Sequence, residues 1–162
     1  MLYLADSLRK LDFRKLMTVY EEGNRENGAF FWPELSEGQQ LHRAEEDFYQ
    51  YLQEVFFPVK GAVYAIWQED GVYKSALRLE PYDDGLLLEG LETAPDHRRR
   101  GHAEKLIRAV LEAYPQRIYS HVSKKNVPSL SIHKKCGFTQ VLDYAKEIDG
   151  SFLRSAVTFR YR

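Results

Sequence analysis

Three consecutive arginines, Arg98-Arg99-Arg100, stand directly before a helix, where charge of that sign is least welcome. Ala103, Leu106, Ile107, Val110, Leu111 and Tyr114 repeat at the spacing of one apolar helix face, so Arg98-Arg99-Arg100-Gly101-His102-Ala103 reads as that helix's N-terminus. Unpaired N–H groups and the helix dipole already concentrate positive charge there, and acidic residues normally occupy the first turn. A basic triplet costs stability unless an anion lies in front of it. Gly101 and the small Ala103 leave the backbone open to close approach by such an anion. The plain alternative is a solvated basic loop that precedes a helix.

The net charge of −1 conceals a segregated distribution. Residues 97–135 carry ten basic and two acidic side chains, whereas residues 1–96 carry 9 basic and 19 acidic. A basic patch is the footprint of nucleic-acid binding, but no zinc-finger, RRM-like or helix-turn-helix pattern accompanies it. A compact, highly anionic small molecule explains it better, and no nucleic-acid partner is expected. One domain over 1–162 is expected from a length of 162 residues. No stretch approaches the ~20 apolar residues of a membrane span, and the start lacks the pattern of a signal peptide. The single cysteine, Cys136, fits a reducing compartment, so the expectation is a cytoplasmic protein with no membrane partner. His42, His97, His102, His121 and His133 show no metal-ligand spacing, and no metal is expected.

Leu8, Leu11, Leu16, Val19 and Tyr20 suggest a first helix ending near Gly23, followed by a loop from Asn27-Gly28 through Pro33. Ser36, with Gln39 three residues on, reads as a capping box that starts a long helix reaching about Phe57. Three strand-like runs follow, Gly61–Gln68, Val72–Glu80 and Leu86–Thr93, with turns at Glu69-Asp70-Gly71 and Pro81 to Gly85. The helix after the arginines ends before Pro115, and Arg117–Val122 reads as a strand. Pro128 opens a short helix that Gly137 closes at C′. Phe138–Ile148 and Ser155–Tyr161 read as the last strands. This order predicts an α/β chain with a mixed sheet and helices on both faces.

Asn126, Ser129 and His133 fall at i, i+3 and i+7 of the short second helix, forming one polar face ahead of Lys134-Lys135-Cys136-Gly137-Phe138. With these residues in place the chain resembles the GNAT family of N-acetyltransferases. Arg98-x-x-Gly101-x-Ala103 is similar to the family's coenzyme A signature, Q/R-x-x-G-x-G/A, and Leu91-Glu92-Thr93-Ala94-Pro95-Asp96-His97 to the approach that leads into it. Asn126-x-x-Ser129-x-x-x-His133-x-x-x-Gly137-Phe138 is similar to its later N-x-x-A/S…Y-x-x-x-G-F helix, with histidine where many relatives carry tyrosine.

The resemblance implies the acyl-CoA N-acyltransferase fold: a central, mostly antiparallel mixed sheet of about seven strands with about four helices on both faces. It implies acetyl-CoA as cofactor and a primary amine, on a small molecule or a peptide, as acceptor. The pyrophosphate would rest on backbone N–H groups around Arg99, Arg100, Gly101, His102 and Ala103, with charge-assisted contacts from Arg98, Arg99 and Arg100. Pantetheine would pair with Leu91, Glu92 and Thr93 beside a bulge at Gly90. Asn126, Ser129 and His133 would face it, although Asn126 serves equally as a helix cap. Lys124 and Lys125 read either as contacts to the adenosine phosphates or as solvated loop.

The same resemblance makes His133 a candidate to protonate the departing thiolate, with Tyr144 or water as the alternative, and Glu89 or Glu92 a candidate base. Strand alternation puts these two glutamates on opposite faces unless a bulge at Gly90 resets the phase. Phe30, Phe31 and Trp32 are expected either to line the acceptor site or to pack on the sheet. A homodimer is in keeping with the family. Two further readings stand beside the transferase: a non-catalytic acyl-CoA-binding sensor on the same fold, and an RNA-binding patch at 97–135.

Overall fold

The computed structural model describes residues 1–162. In chain order the elements are β1 (Leu2–Ala5), α1 (Phe13–Val19), α2 (Glu21–Phe31), α3 (Glu37–Tyr51), β2 (Val63–Glu69), β3 (Val72–Tyr82) and β4 (Gly85–Thr93). There follow α4 (His102–Ala113), β5 (Ile118–Ser123), α5 (Val127–Lys135), β6 (Thr139–Leu142), β7 (Ala145–Lys146), β8 (Phe152–Leu153) and β9 (Ala156–Tyr161). Seven strands form one sheet in the order β1-β2-β3-β4-β5-β9-β6, in which only β4 and β5 run parallel. β7 and β8 form a separate small ribbon.

Alternation along the strands sorts side chains onto two cores. Ala65, Leu77, Leu79, Leu86 and Leu88 point to the face covered by α4, whose Leu106, Ile107, Val110 and Leu111 are buried there. Burying each such side chain contributes about 1.5–3 kcal/mol, which is what holds α4 despite the basic turn in front of it. Tyr64, Ile66 and Ala76 point to the opposite face, against Leu16, Met17 and Tyr20 and the end of α3. There α3 widens into a π turn, Leu52–Phe56, with Leu52 and Phe56 buried.

The start of the chain differs from its sequence reading in three places. Leu2–Ala5 form β1, too short a run to announce itself, paired with β2 from Leu2↔Trp67 to Ala5↔Tyr64. The expected single first helix is a 3₁₀ turn at Leu8–Lys10 and then α1, capped by Asp12, whose side chain accepts from the Lys15 N–H at 3.1 Å. The expected loop from Asn27 is helix, because α2 runs through Gly23 and Gly28 to Phe31. Gly28 is there for contact rather than for a turn: a Cβ on it would lie 2.5 Å from the Gln40 carbonyl oxygen on α3. The Ser36/Gln39 capping box is present in both directions. Near the C-terminus the expected strand 138–148 divides into β6 and β7, and β7 leaves the main sheet to pair with β8.

Two irregularities shape the middle of the sheet. β4 and β5 pair over only three rungs, Leu86↔Ile118 to Leu88↔Ser120, and then part. Just beyond, Ala76 faces Glu92 and Arg78 faces Glu89, so Gly90 and Leu91 together oppose Leu77. This is the expected bulge, with Gly90 at φ +60. Glu89 and Glu92 therefore share one face of the sheet.

Glycine substitutions separate close packing from helix propensity. A Cβ on Gly85 would lie 2.1 Å from the Arg117 carbonyl oxygen, so Gly85→Ala is expected to cost about 3 kcal/mol or more in chemical denaturation. Gly38, early in α3, has nothing within 4 Å of that position, and Gly38→Ala is expected to stabilise by about 0.5 kcal/mol. Equal effects of the two would refute the packing assigned to the β4–β5 junction.

Candidate active site

The turn before α4 is built to leave its N–H groups free. Arg99 (φ +62) and Gly101 (φ +78) both take the left-handed conformation, and Gly101 as N-cap offers no side-chain oxygen to the first turn. Glu104, the one acidic residue in that turn, is drawn aside to Arg108 at 3.0 Å and Lys135 at 2.9 Å. The exposed amides open on a cavity of 640 Å³. Arg98, Arg99, Gly101, His102 and Ala103 form one wall of it; Leu91, Glu92 and Thr93 form the second, and Asn126 and Ser129 belong to the third. Arg100 is exposed and lies outside these walls.

Three cofactor-side residues carry contacts of their own within the protein, of which only the Asn126 cap was expected from sequence. Arg98 is held across the cavity by Glu22 on α2, Nη1 to Oε2 at 2.6 Å. His102 is buried, with Nδ1 unpartnered and 3.8 Å from Glu69 Oε2; burial holds its pKa below the usual value. Asn126 caps α5, its Oδ1 accepting from the Ser129 N–H at 3.2 Å.

A second cavity, of 170 Å³, lies where β4 and β5 part. Glu89 and Gly90 line one side, and Ser120, His121 and His133 the other. His133 is 1% exposed, so the polar stripe of α5 runs from exposed Asn126 through half-buried Ser129 to a buried histidine. Its ring stacks on Phe159 at 5.5 Å. Nδ1 lies 2.8 Å from the Ser129 carbonyl oxygen, which can only accept, so Nδ1 carries the proton and Nε2 accepts from the Ser120 hydroxyl at 2.8 Å. Burial depresses its pKa. The ring is neutral at pH 7, with both nitrogens engaged.

Glu89 lies on the opposite face, at the last point before the strands separate. Its Oε2 is 3.9 Å from Arg78 Nε, too far for a hydrogen bond, and both atoms are buried without another partner. Arg78 is held over the rings of Tyr51 at 5.4 Å and Phe56 at 5.9 Å, and it lies against Gly90, where a Cβ would come 3.0 Å from its guanidinium carbon. Burial, reinforced by neighbouring Glu80 and opposed by Arg78, pushes the Glu89 carboxyl up to about 8. Burial also raises Glu92, against the pull of Arg98. Beyond Glu89 lies a cavity of 420 Å³ between the end of α3 and the turn joining β7 to β8.

Phe30, Phe31 and Trp32 do not reach Glu89. Phe30 is 78% and Phe31 63% exposed at the end of α2, while Phe31 and Trp32 line a separate cavity of 270 Å³ that reaches Tyr51 and Arg78 from the far side. Cys136 is buried and free. No group of three or more His, Cys, Asp or Glu is placed to hold a metal, and no helix is long and apolar enough to cross a membrane. Sequence reading missed Ser120, His121, Arg78, Glu80 and Glu147. The strand character of Tyr119-Ser120-His121-Val122 was the one available signal, because the alternation of side chains along a strand puts Ser120 and His121 on opposite faces at the end of the β4 pairing.

The position of Glu89 has a thermodynamic signature. Its pKa in the folded protein lies above the ordinary 4.5, so the unfolded chain releases its proton first and folding stability falls as pH rises from about 4.5 to about 8. Glu89→Gln, which removes the charge, is expected to raise the thermal midpoint relative to the parent at about pH 9. It should give no such advantage near pH 4, as read by scanning calorimetry at both values. Parallel pH profiles would mean that this carboxyl is not perturbed.

A sequence model of the acetyltransferase (GNAT) family matches residues 19–138. No curated protein matches the chain in sequence. Among solved structures, the PaiA N-acetyltransferase of Thermoplasma acidophilum in complex with coenzyme A superposes with a TM-score of 0.62 at 13% identity, covering 100% of this chain and 99% of that one. An acyl-CoA N-acyltransferase of Pseudomonas aeruginosa gives 0.59 at 12% identity, covering 100% and 99%. A GNAT-family acetyltransferase of Bacillus cereus gives 0.57 at 16%, covering 100% and 97%. These identities establish a shared fold, and the family model adds the sequence relationship. With a matching model over most of its length and a sheet that parts where a coenzyme A arm would enter, the chain belongs to the GNAT family of acetyltransferases.

Proposed function

We propose that this protein transfers the acetyl group of acetyl-CoA to a primary amine by direct attack in a ternary complex. One observation carries the reading: uncapped α4 amides, the strand edge Leu91–Thr93 left without a neighbour by the parting of β4 and β5, and Glu89 at the point of parting follow one another along the same cleft. Acetyl-CoA supplies an acyl group already activated as a thioester.

The residues divide the remaining work. Backbone N–H groups from Arg99 to Ala103 hold the pyrophosphate, with Arg98 and Arg99 adding charge. The free edge at Leu91, Glu92 and Thr93 pairs with the pantetheine amides, and Asn126 and Ser129 close the opposite wall. Glu89 takes a proton from the acceptor ammonium; a carboxyl with a pKa near 8 is a far better base than an ordinary one. Glu92 faces the same side one bulge further on and is the second candidate. His133, as a neutral ring bound through Nε2, serves better to fix Ser120 at the cleft floor than to protonate a thiolate. Phe31 and Trp32 would contact only an acceptor long enough to pass Tyr51.

The engaged His133 is also what favours the other reading, an acyl-CoA-binding domain without catalysis. Calorimetric titration with acetyl-CoA, followed by an amine screen, separates the two. Micromolar binding is expected, reduced at least about tenfold by Gly101→Val, since a β-branched residue is strained at φ +78. No binding by folded protein would sink both readings, and binding without turnover on any amine would favour the sensor. Where transfer is seen, Glu89→Gln should lower kcat about 100-fold at unchanged acetyl-CoA affinity. Unchanged turnover would remove Glu89 from the chemistry.

A further inference from the structure

Glu89 shares its face of the sheet with Glu80, because Arg78 pairs with Glu89 and Glu80 with Leu87. Glu80 is 7% exposed, and its side chain hydrogen-bonds that of Glu89, so the two acids hold a proton between them. The nearest compensation for the two carboxylates is Arg78, 3.9 Å from Glu89 and making no hydrogen bond to it. A nearly buried pair of acids keeps that proton because a second charge there is expensive, and a ligand rich in N–H donors and positive charge can take its place.

Both carboxylates open on the 420 Å³ cavity at the end of α3. Its other charged walls, Glu147 and Asp149 on the turn between β7 and β8, are also acidic, and no lysine, arginine or histidine lines it. Val55, Val59 and Ile148, three exposed aliphatic side chains, line the same cavity. Val55 belongs to the π turn that ends α3. The cavity thus offers two acidic pairs and an apolar lining.

The geometry points to a dicationic alkylamine, an α,ω-diamine or a longer polyamine, as the acceptor. One ammonium meets Glu80 and Glu89, the methylenes lie on Val55, Val59 and Ile148, and the distal ammonium meets Glu147 and Asp149. Which ammonium reacts follows from the transfer reading proposed above, since only the inner one lies beside the β4–β5 cleft. The same walls repel an acceptor that carries a carboxylate near its amine, such as a free amino acid.

Three amines of one length provide the test: 1,5-diaminopentane, pentylamine and 5-aminopentanoate, titrated calorimetrically into the coenzyme A-loaded protein. The diamine is expected to bind about tenfold tighter than pentylamine, the increment of two half-exposed ion pairs, and the advantage should shrink at high salt. 5-Aminopentanoate should bind more weakly than either. The double variant E147Q/D149N should bring the diamine-to-pentylamine ratio toward one. Equal binding of diamine and pentylamine, preference for 5-aminopentanoate, or no binding of any of the three would overturn the proposal. Acetyl transfer is read separately. Diamine bound but never acetylated would refute the transfer reading and leave the cavity's chemistry standing, whereas transfer to another amine class without diamine binding would do the reverse.

Discussion

The Tyr20 hydroxyl donates a hydrogen bond of 2.5 Å to the carbonyl of Gly90, at the place where β4 carries one residue more than β3. That contact ties the end of α1 to the bulge, and much of the site follows from the bulge. It bends β4 away from β5 just after the Leu88↔Ser120 rung, opening the cleft. It also shifts the alternation by one, which brings Glu89 and Glu92 to the same face. Glycine suits the bulge position, with its φ of +60 and the end of the Arg78 side chain close to where a Cβ would stand.

The sheet separates two electrostatic environments. On one face α4 and α5 present a basic turn, uncapped amides and a neutral histidine, suited to a polyanion and its uncharged arm. On the other, Arg78 is enclosed by Tyr51, Phe56 and Tyr64 while Glu80, Glu89, Glu147 and Asp149 look into the cavity. The parting of β4 and β5 is the passage between the two. Charge is therefore sorted between the faces: basic groups and free amides lie on one, and on the other is a carboxyl whose burial raises its pKa to about 8.

His133 shows how burial redefines a residue. A histidine in a sequence position that relatives fill with tyrosine suggests a proton donor, but the ring's surroundings decide what it can donate. It stacks on Phe159, both its nitrogens are engaged within the protein, and burial lowers its pKa. Arg98 is similar: three arginines before a helix imply an anion, whereas its pairing with Glu22, 76 residues away, links the turn before α4 to α2.

The elements legible in the sequence were those specified by near neighbours along the chain. The period of α4, the capping box of α3, the β2–β3–β4 meander, the Gly137 stop of α5 and the glycine of the bulge all depend on residues within a turn or two, and so did the uncapped anion turn. The β1 edge strand, the continuation of α2 through Gly28 and the escape of β7 from the main sheet were not legible, because each is stabilised by a partner remote in sequence: Ala65 for Leu4, Gln40 for Gly28, Leu153 for Ala145. The candidate base behaved likewise. Its identity as one of two strand glutamates could be read, but its perturbed carboxyl exists because burial, Glu80 from β3 and Glu147 from the β7–β8 turn outweigh the opposing Arg78. Local pattern determined the fold family and the donor site. Long-range burial, which sets the dielectric and the charges around each ionisable group, decided the acceptor side.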